Sequence, residues 1–334
     1  MGMSSFSNRP KITVIGCGHW GKNIVRNLAA LGALGAVSDH DAARATALAD
    51  NYGVPSVNVD EALKGEPHRA LAIATPVVTH AELVGTALAA GKDVFVEKPL
   101  SLTRSEAENL LTTARMHNRV LMVGHLLRYH PAYIKLLEQI HAGAIGRVRH
   151  IAAHRLHYWP MHPEEDVLAD LAPHDLAMID GITMALPDDV TVRRRALMNS
   201  AHAKGSSTIA DIAGVQLRYG EITAHIYASR VNPYKEHRFT VLGETGALVF
   251  DDSKPWDEKL VLSRPEGPSI HQAIALEMDE PLGREMKHFI ACLETRTQSL
   301  TGGEHALRVT TILEQLLNSS LLRGEDVRLA NRRG

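Results

Sequence analysis

Three short stretches of this 334-residue chain hold side chains whose types and spacing suit chemistry. The first is Gly16-Cys17-Gly18-His19-Trp20-Gly21, a GxGxxG that follows an apolar run and opens a helix-like segment. Gly16 allows a tight turn, Gly18 lets a pyrophosphate approach the backbone, and Gly21 allows close helix–strand contact. The phosphates would meet free N–H groups at the positive end of a helix. Asp39 lies about twenty residues further on, where a carboxylate accepts hydrogen bonds from ribose hydroxyls. The pattern therefore predicts a dinucleotide site. Asp39 should repel a 2′-phosphate, which favours NAD over NADP, although Arg44 nearby offers a guanidinium that a phosphate would accept. The second stretch is Glu97-Lys98-Pro99, at the end of an apolar run. A lysine there points its ammonium into the crevice where ligands of parallel sheets bind, or snorkels at the surface. The third is Asp170-Leu171-Ala172-Pro173-His174. A helix beginning near Leu171 puts His174 at its positive end, which disfavours imidazolium and keeps a neutral base available. Asp170 would orient that ring or cap the helix.

The elements that must position these groups can be read from the pattern. Apolar runs at 12–15, 34–37, 71–74, 94–96 and 120–123 alternate with helix-like segments at 21–31, 42–51, 79–90 and 104–117. Continuous apolar strands are buried on both faces, so residues 1–125 are predicted to form a doubly wound α/β dinucleotide-binding domain of the Rossmann type. The rhythm then changes. A helix at 131–141 and a strand at 148–157 are followed by strand-like runs at 190–198, 209–219, 222–229, 238–242 and 247–250, with turns at Tyr219-Gly220-Glu221 and at 243–246. Helices at 282–294 and 304–322 end the pattern. Residues 126–334 are thus predicted to be an α+β domain with an open, mainly antiparallel sheet that binds substrate and supports oligomerisation, meeting the first domain at a cleft.

Composition excludes several other classes. Lys and Arg number 36 against 38 Asp and Glu, which leaves a formal charge of −2 and no general affinity for nucleic acid. The two cysteines, Cys17 and Cys292, cannot build a disulfide framework or a Cys-based zinc site, and fit a reducing cytoplasm. No apolar run is long enough to span a bilayer. The start, through Phe6, lacks the apolar core of a signal peptide and the Ser or Thr of a myristoylation signal. His150, His154 and His157 are close in sequence, but on a strand His157 faces away from the other two, so no metal site is expected.

The glycine loop, Ala74-Thr75-Pro76, Glu97-Lys98-Pro99-Leu100, Gly124-His125 and the late segment Pro281-Leu282-Gly283-Arg284-Glu285 together resemble the glucose–fructose oxidoreductase, inositol dehydrogenase and rhizopine catabolism family. Many of its members are NAD(P)-dependent sugar oxidoreductases. The resemblance implies cofactor contacts from Gly16, Gly18, His19, Trp20, Gly21, Asp39, Thr75, Pro76, His80, Glu97 and Lys98; His125, after its strand, either reaches the nicotinamide side as a further cofactor contact or serves in a cap or in packing. It also implies that Lys98 stabilises alkoxide character on the reacting hydroxyl, and that His174, with Asp170, takes the hydroxyl proton. The wording GHWGKN, GHLLRYHP and LAPHDL resembles the branch acting on nucleotide-linked N-acetylhexosamines. That branch implies oxidation of C3 of UDP-N-acetylglucosamine to a ketone, for an aminotransferase of lipid A biosynthesis that meets this protein only through its product. Arg128, Tyr129, Arg155, Tyr158, Arg230, Tyr234 and Lys235 are the residues proposed to hold such a UDP-sugar, together with Lys98 and His174. A homodimer or homotetramer is expected by resemblance. Dehydrogenation of inositols or simple hexoses, an NAD-dependent glycosidase of the same fold, and a non-catalytic NAD sensor remain open as alternatives.

Overall fold

A computed structural model describes residues 9–65, 68–158, 166–197, 209–265 and 270–319. The expectations for the first eight residues, for the end of the strand at 198 and for the helix beyond 319 lie outside these. The chain divides into two compact units. One holds residues up to Pro131 together with Met278–Glu314; the other runs from Ala132 to Glu277 and takes up the chain again at Gln315.

The first unit is built from β1 (Ile12–Ile15), α1 (His19–Ala30), β2 (Leu34–Ser38), α2 (Ala42–Tyr52), α3 (Val59–Lys64), β3 (Ala70–Ile73), α4 (His80–Ala89), β4 (Asp93–Glu97), α5 (Arg104–Met116) and β5 (Leu121–Gly124). All five strands are parallel, in the order β2-β1-β3-β4-β5. Every residue of β1, β3 and β5 is buried, as a sheet covered by helices on both faces requires. Local chemistry fixes the helix ends. The Asp41 side chain accepts from the Arg44 N–H to start α2, and Thr103 and Glu106 form a reciprocal capping box at α5. The chain leaves β1 for β2, then crosses back past β1 to β3, so the strand order reverses beside the C-terminal end of β1. That reversal opens a crevice in the sheet, and the glycine loop lies there.

The second unit contains α6 (Pro131–His141), β6 (Val148–Tyr158), α7 (Val167–Thr183), β7 (Asp189–Arg195), β8 (Ile212–Tyr219), β9 (Ile222–Ser229), β10 (Val231–Gly243), β11 (Ala247–Asp251), β12 (Leu260–Arg264) and β13 (Ile270–Ala273). The sheet order is β13-β12-β11-β10-β6-β9-β8-β7, antiparallel throughout except for the parallel pair β6–β9. Ala213, Val215 and Leu217 of β8 are buried while Gly214, Gln216 and Arg218 are exposed, so one face is covered and the other open. The helix α7 covers the buried face, packing on β6, β8 and β9.

The expected division at 125/126 needs correction at its far end. The helix α8 (Pro281–Thr295) belongs with the first unit. Its Leu282, Met286, Phe289 and Ile290 join one core with Ile12, Ile24, Leu28 and Phe95. Phe95 and Phe289 meet with ring centroids 5.9 Å apart, and burying one such ring contributes about 1.5–3 kcal/mol. The helix α9 (Gly303–Leu317) follows, and its Ala306 packs into the core on the other side of the parallel sheet.

Candidate active site

The glycine loop is tight at its ends and open in the middle. A Cβ on Gly16, whose φ is +102°, would lie 2.4 Å from the Ala74 carbonyl oxygen, and one on Gly21 would lie 1.8 Å from the Gly16 carbonyl oxygen. Nothing stands within 4 Å of the Cβ position of Gly18. Gly18 also caps α1 without any side chain on the first N–H groups, which leaves them to an anion. Asp39 is buried at the end of β2. One carboxylate oxygen accepts from the Cys17 N–H at 2.6 Å, and the other from the Asp41 N–H at 2.9 Å. It therefore buttresses the loop as well as offering acceptors for a ribose. His40 lies 2.9 Å and Arg44 3.7 Å from the same carboxylate. Burial, with the Asp39 charge, pushes the Cys17 thiol up to about 11, so this cysteine is an inert loop filler.

Lys98 follows the end of β4, and its bond to Pro99 is cis. The Trp20 indole donates to Glu97, whose other oxygen accepts from the Lys98 N–H at 3.3 Å. Burial pushes the Glu97 carboxyl up to about 7, against the pull of Trp20 and Lys98. Its carboxyl leaves no room at Gly124, where a Cβ would lie 3.0 Å from it. His80 is buried, with ring nitrogens 2.8 Å from the carbonyl oxygens of Thr75 and Pro99. It ties the Thr75-Pro76 loop to the Lys98-Pro99 loop, so it positions the site and lies beneath it. His19 and Trp20 are exposed at the start of α1.

His125, directly after β5, is buried and shares a hydrogen bond of 2.8 Å with His305 of α9, which Arg128 also contacts at 3.2 Å. Tyr129 lies in the apolar core, and its hydroxyl is 2.9 Å from that of Thr301. The expectation that Arg128 and Tyr129 hold substrate is therefore corrected: both are buried and engaged inside the first unit. Glu285 of α8 is fully buried, and burial, reinforced by Glu97, holds its carboxyl well above the usual range. Neither His305 nor Glu285 carried any assigned role in the sequence. Nothing in the local pattern reveals His305, whereas Glu285 stands inside the late family-like segment.

In the second unit, α7 begins four residues earlier than expected. Asp166 caps it by accepting from the Leu168 N–H at 3.0 Å. Asp170 is therefore no cap but a first-turn residue, and Pro173 sits in the helix interior, where it removes the bond to the Ala169 carbonyl. His174 lies two turns in, beyond the reach of the positive end of the helix. Asp170 and His174 are four residues apart on one face, both half-buried. Arg155 makes a buried two-pronged ion pair with Asp175, at 3.0 and 2.7 Å. Arg230 is buried on Asp211 at 2.9 Å. Both arginines were expected to meet substrate; each is instead committed to an internal carboxylate, because a buried guanidinium needs a partner. Residues 231–235 belong to β10, whose pairing with β6 is irregular between Val231 and Glu236. Tyr234 and Lys235 are exposed there, and Tyr158 on β6 is exposed as well. Among the described residues no three His, Cys, Asp or Glu side chains are grouped to hold a metal ion, and no helix is long and apolar enough to cross a membrane.

A parallel sheet with a glycine loop at its switch point and an acidic residue closing the next strand defines a dinucleotide-binding Rossmann domain. Residues 10–125 match the oxidoreductase family with an NAD-binding Rossmann fold, and residues 133–249 match the GFO/IDH/MocA C-terminal domain. The chain belongs to that family of sugar oxidoreductases and dehydrogenases. It is 34% identical to UDP-N-acetylglucosamine 3-dehydrogenase of Acidithiobacillus ferrooxidans, over 53% of this chain and 55% of that one, about half the length of that relative. Inositol 2-dehydrogenase of Acidothermus cellulolyticus is 30% identical over 73% of this chain and 74% of that one. The solved structure of the Acidithiobacillus ferrooxidans enzyme matches with a TM-score of 0.81 at 28% identity, covering 92% of this chain and 96% of that one. NAD fits the first unit's own geometry, through the open approach at Gly18, the uncapped start of α1 and the buried carboxylate of Asp39.

Proposed function

We propose that this oxidoreductase oxidises the C3 hydroxyl of a nucleotide-linked N-acetylhexosamine, UDP-N-acetylglucosamine first among them. The observation that carries the reading is the likeness to UDP-N-acetylglucosamine 3-dehydrogenase in both sequence and fold. NAD, when bound, accepts the hydride. The Asp39 carboxylate takes the hydroxyls of the adenosine ribose, beside a surface pocket lined by His40, Ser56, Val57 and Val59. Lys98 offers a fixed positive charge to the oxygen that becomes a ketone, an effect that strengthens where water is excluded. The His174 imidazole takes the hydroxyl proton, with Asp170 one turn earlier on the same face to orient the ring or balance its charge. Tyr158, Tyr234 and Lys235 are the exposed groups left for the nucleotide. Self-association would use the open sheet face carrying Gln216, Arg218, His225 and Tyr227, and an aminotransferase would meet only the keto product.

Incubation with NAD and UDP-N-acetylglucosamine is expected to yield NADH and a keto-sugar that an aminotransferase can trap. His174→Ala should lower kcat by about 10²–10⁴ while leaving NAD affinity intact. A second reading, oxidation of inositols or simple hexoses, is favoured by the 30% identity to inositol 2-dehydrogenase over most of both chains. Turnover of myo-inositol with none of the UDP-sugar would establish that reading and overturn the first.

A further inference from the structure

The buried chain behind β5 has only one allowed direction. Arg128 carries a guanidinium, which donates hydrogen bonds and never accepts them. Its Nη1 lies 3.2 Å from Nδ1 of His305, so that nitrogen must present its lone pair. The proton of a neutral His305 is then on Nε2, which lies 2.8 Å from Nδ1 of His125. This second nitrogen must in turn accept, and the proton of His125 is left on Nε2. Protonating either ring would set N–H against N–H, or N–H against the guanidinium. Burial, followed by the charges of Arg128 and Lys98, also holds His125 well below the ordinary histidine value.

We infer that His305 is a positioning residue, transmitting the fixed polarity of Arg128 to the ring of His125 so that β5 ends in an uncharged Nε2–H donor for the nicotinamide half of the bound dinucleotide. The Asp39 end of the sheet takes the adenosine half, and a dinucleotide laid across the switch point runs from there toward the ends of β4 and β5. His125 stands at that far end, close enough to Lys98 to feel its charge. A neutral donor suits the carboxamide oxygen of nicotinamide. An imidazolium added beside Lys98 would instead repel the oxidised pyridinium ring.

The test exchanges His305 for two side chains of one shape and opposite polarity in the full-length protein. In His305→Gln the amide oxygen accepts from Arg128 and the amide nitrogen donates to His125, which preserves the direction. In His305→Glu the carboxylate accepts from both sides, which draws the His125 proton to Nδ1 and leaves Nε2 with a lone pair. Nitrogen-15 NMR of the imidazoles reads the tautomer, and calorimetric titration reads the affinities for NADH and for ADP-ribose, which lacks nicotinamide. Wild type and His305→Gln should show Nε2–H and bind NADH alike. His305→Glu should show Nδ1–H and bind NADH about tenfold more weakly, with ADP-ribose within about twofold, as the loss of one hydrogen bond implies. His305→Leu, which breaks the relay without burying a charge, should weaken NADH in the same selective way and decides the matter if the Glu variant does not fold. An Nδ1–H tautomer in the wild type, unchanged NADH binding in both variants that break the relay, or equal losses for NADH and ADP-ribose would overturn the inference. No sugar enters this test, so its failure and that of the UDP-sugar reading are distinguishable.

Discussion

Gly18 and Gly21 stand three residues apart in the same loop, yet alanine at each should fail in a different way. At Gly21 the added methyl would lie 1.8 Å from the Gly16 carbonyl oxygen, against a comfortable separation of about 3.5 Å. That oxygen is backbone, in a turn held by Gly16 at φ +102° and by the Asp39 carboxylate on the neighbouring Cys17 N–H. No rotamer change relieves the clash, so α1 must lift from β1 or the turn must open. Overpacking of this kind costs about 3 kcal/mol. At roughly 2–4 °C per kcal/mol for a unit of this size, the midpoint of the first unit should fall by about 6–12 °C. At Gly18 nothing lies within 4 Å, so Gly18→Ala should lose only the N-cap preference for glycine, about 1 kcal/mol, and melt within a few degrees of the wild type. Its methyl would occupy the approach of the pyrophosphate and weaken NAD at least tenfold, about 1.4 kcal/mol. Scanning calorimetry without cofactor and NADH titration separate the two effects. A Gly21→Ala protein with an unchanged midpoint, or a Gly18→Ala protein with unchanged NAD affinity, would refute this account of the loop.

Glu285→Gln should stabilise the protein increasingly as pH rises. The folded carboxyl is held well above its ordinary value of 4.5, so the folded state keeps a proton that the unfolded state releases, and wild-type stability declines from about pH 4.5 upward while the amide escapes that decline; melting curves of both proteins at pH 5 and 8 check it, and a constant difference would disprove it. Arg155→Ala should cost about 3–5 kcal/mol by leaving the Asp175 charge buried and alone, whereas Arg155→Met with Asp175→Leu should cost much less. Equal losses in denaturant unfolding would show that the pair contributes more than mutual compensation.

Much of the first unit is legible because its chemistry is local. Apolar runs such as Ile12–Ile15 announce buried parallel strands, and a GxGxxG needs its strand, turn and helix within a dozen residues. The short α3, six residues long, offers too few turns for a helical period to register. The start of α7 is obscured for a different reason. Pro173 suggests a first helical turn, yet Asp166 ahead of Val167 and Leu168 is the real start signal, and the helix tolerates the proline inside. Arg155 and Arg230 read as ligand-binding groups because their partners lie 20 and 19 residues away, where only the fold can bring a carboxylate to them. His125 and His305 are 180 residues apart, and no spacing rule joins them.

The same long-range pairings explain why the ends of β4 and β5 suit redox chemistry. Two basic side chains, Lys98 and Arg128, lie in this region, and a buried site makes every further charge expensive. The hydrogen-bond direction through His305 and His125 disfavours a further proton on either ring, and burial holds the Glu285 carboxyl well above its usual range. Burial pushes the Glu97 carboxyl up to about 7, against the hydrogen bonds it accepts from the Trp20 indole and the Lys98 N–H. Oxidised and reduced nicotinamide differ by one positive charge. A neutral His125 beside Lys98 adds no further charge against the oxidised form. That restraint follows from burial and donor–acceptor geometry.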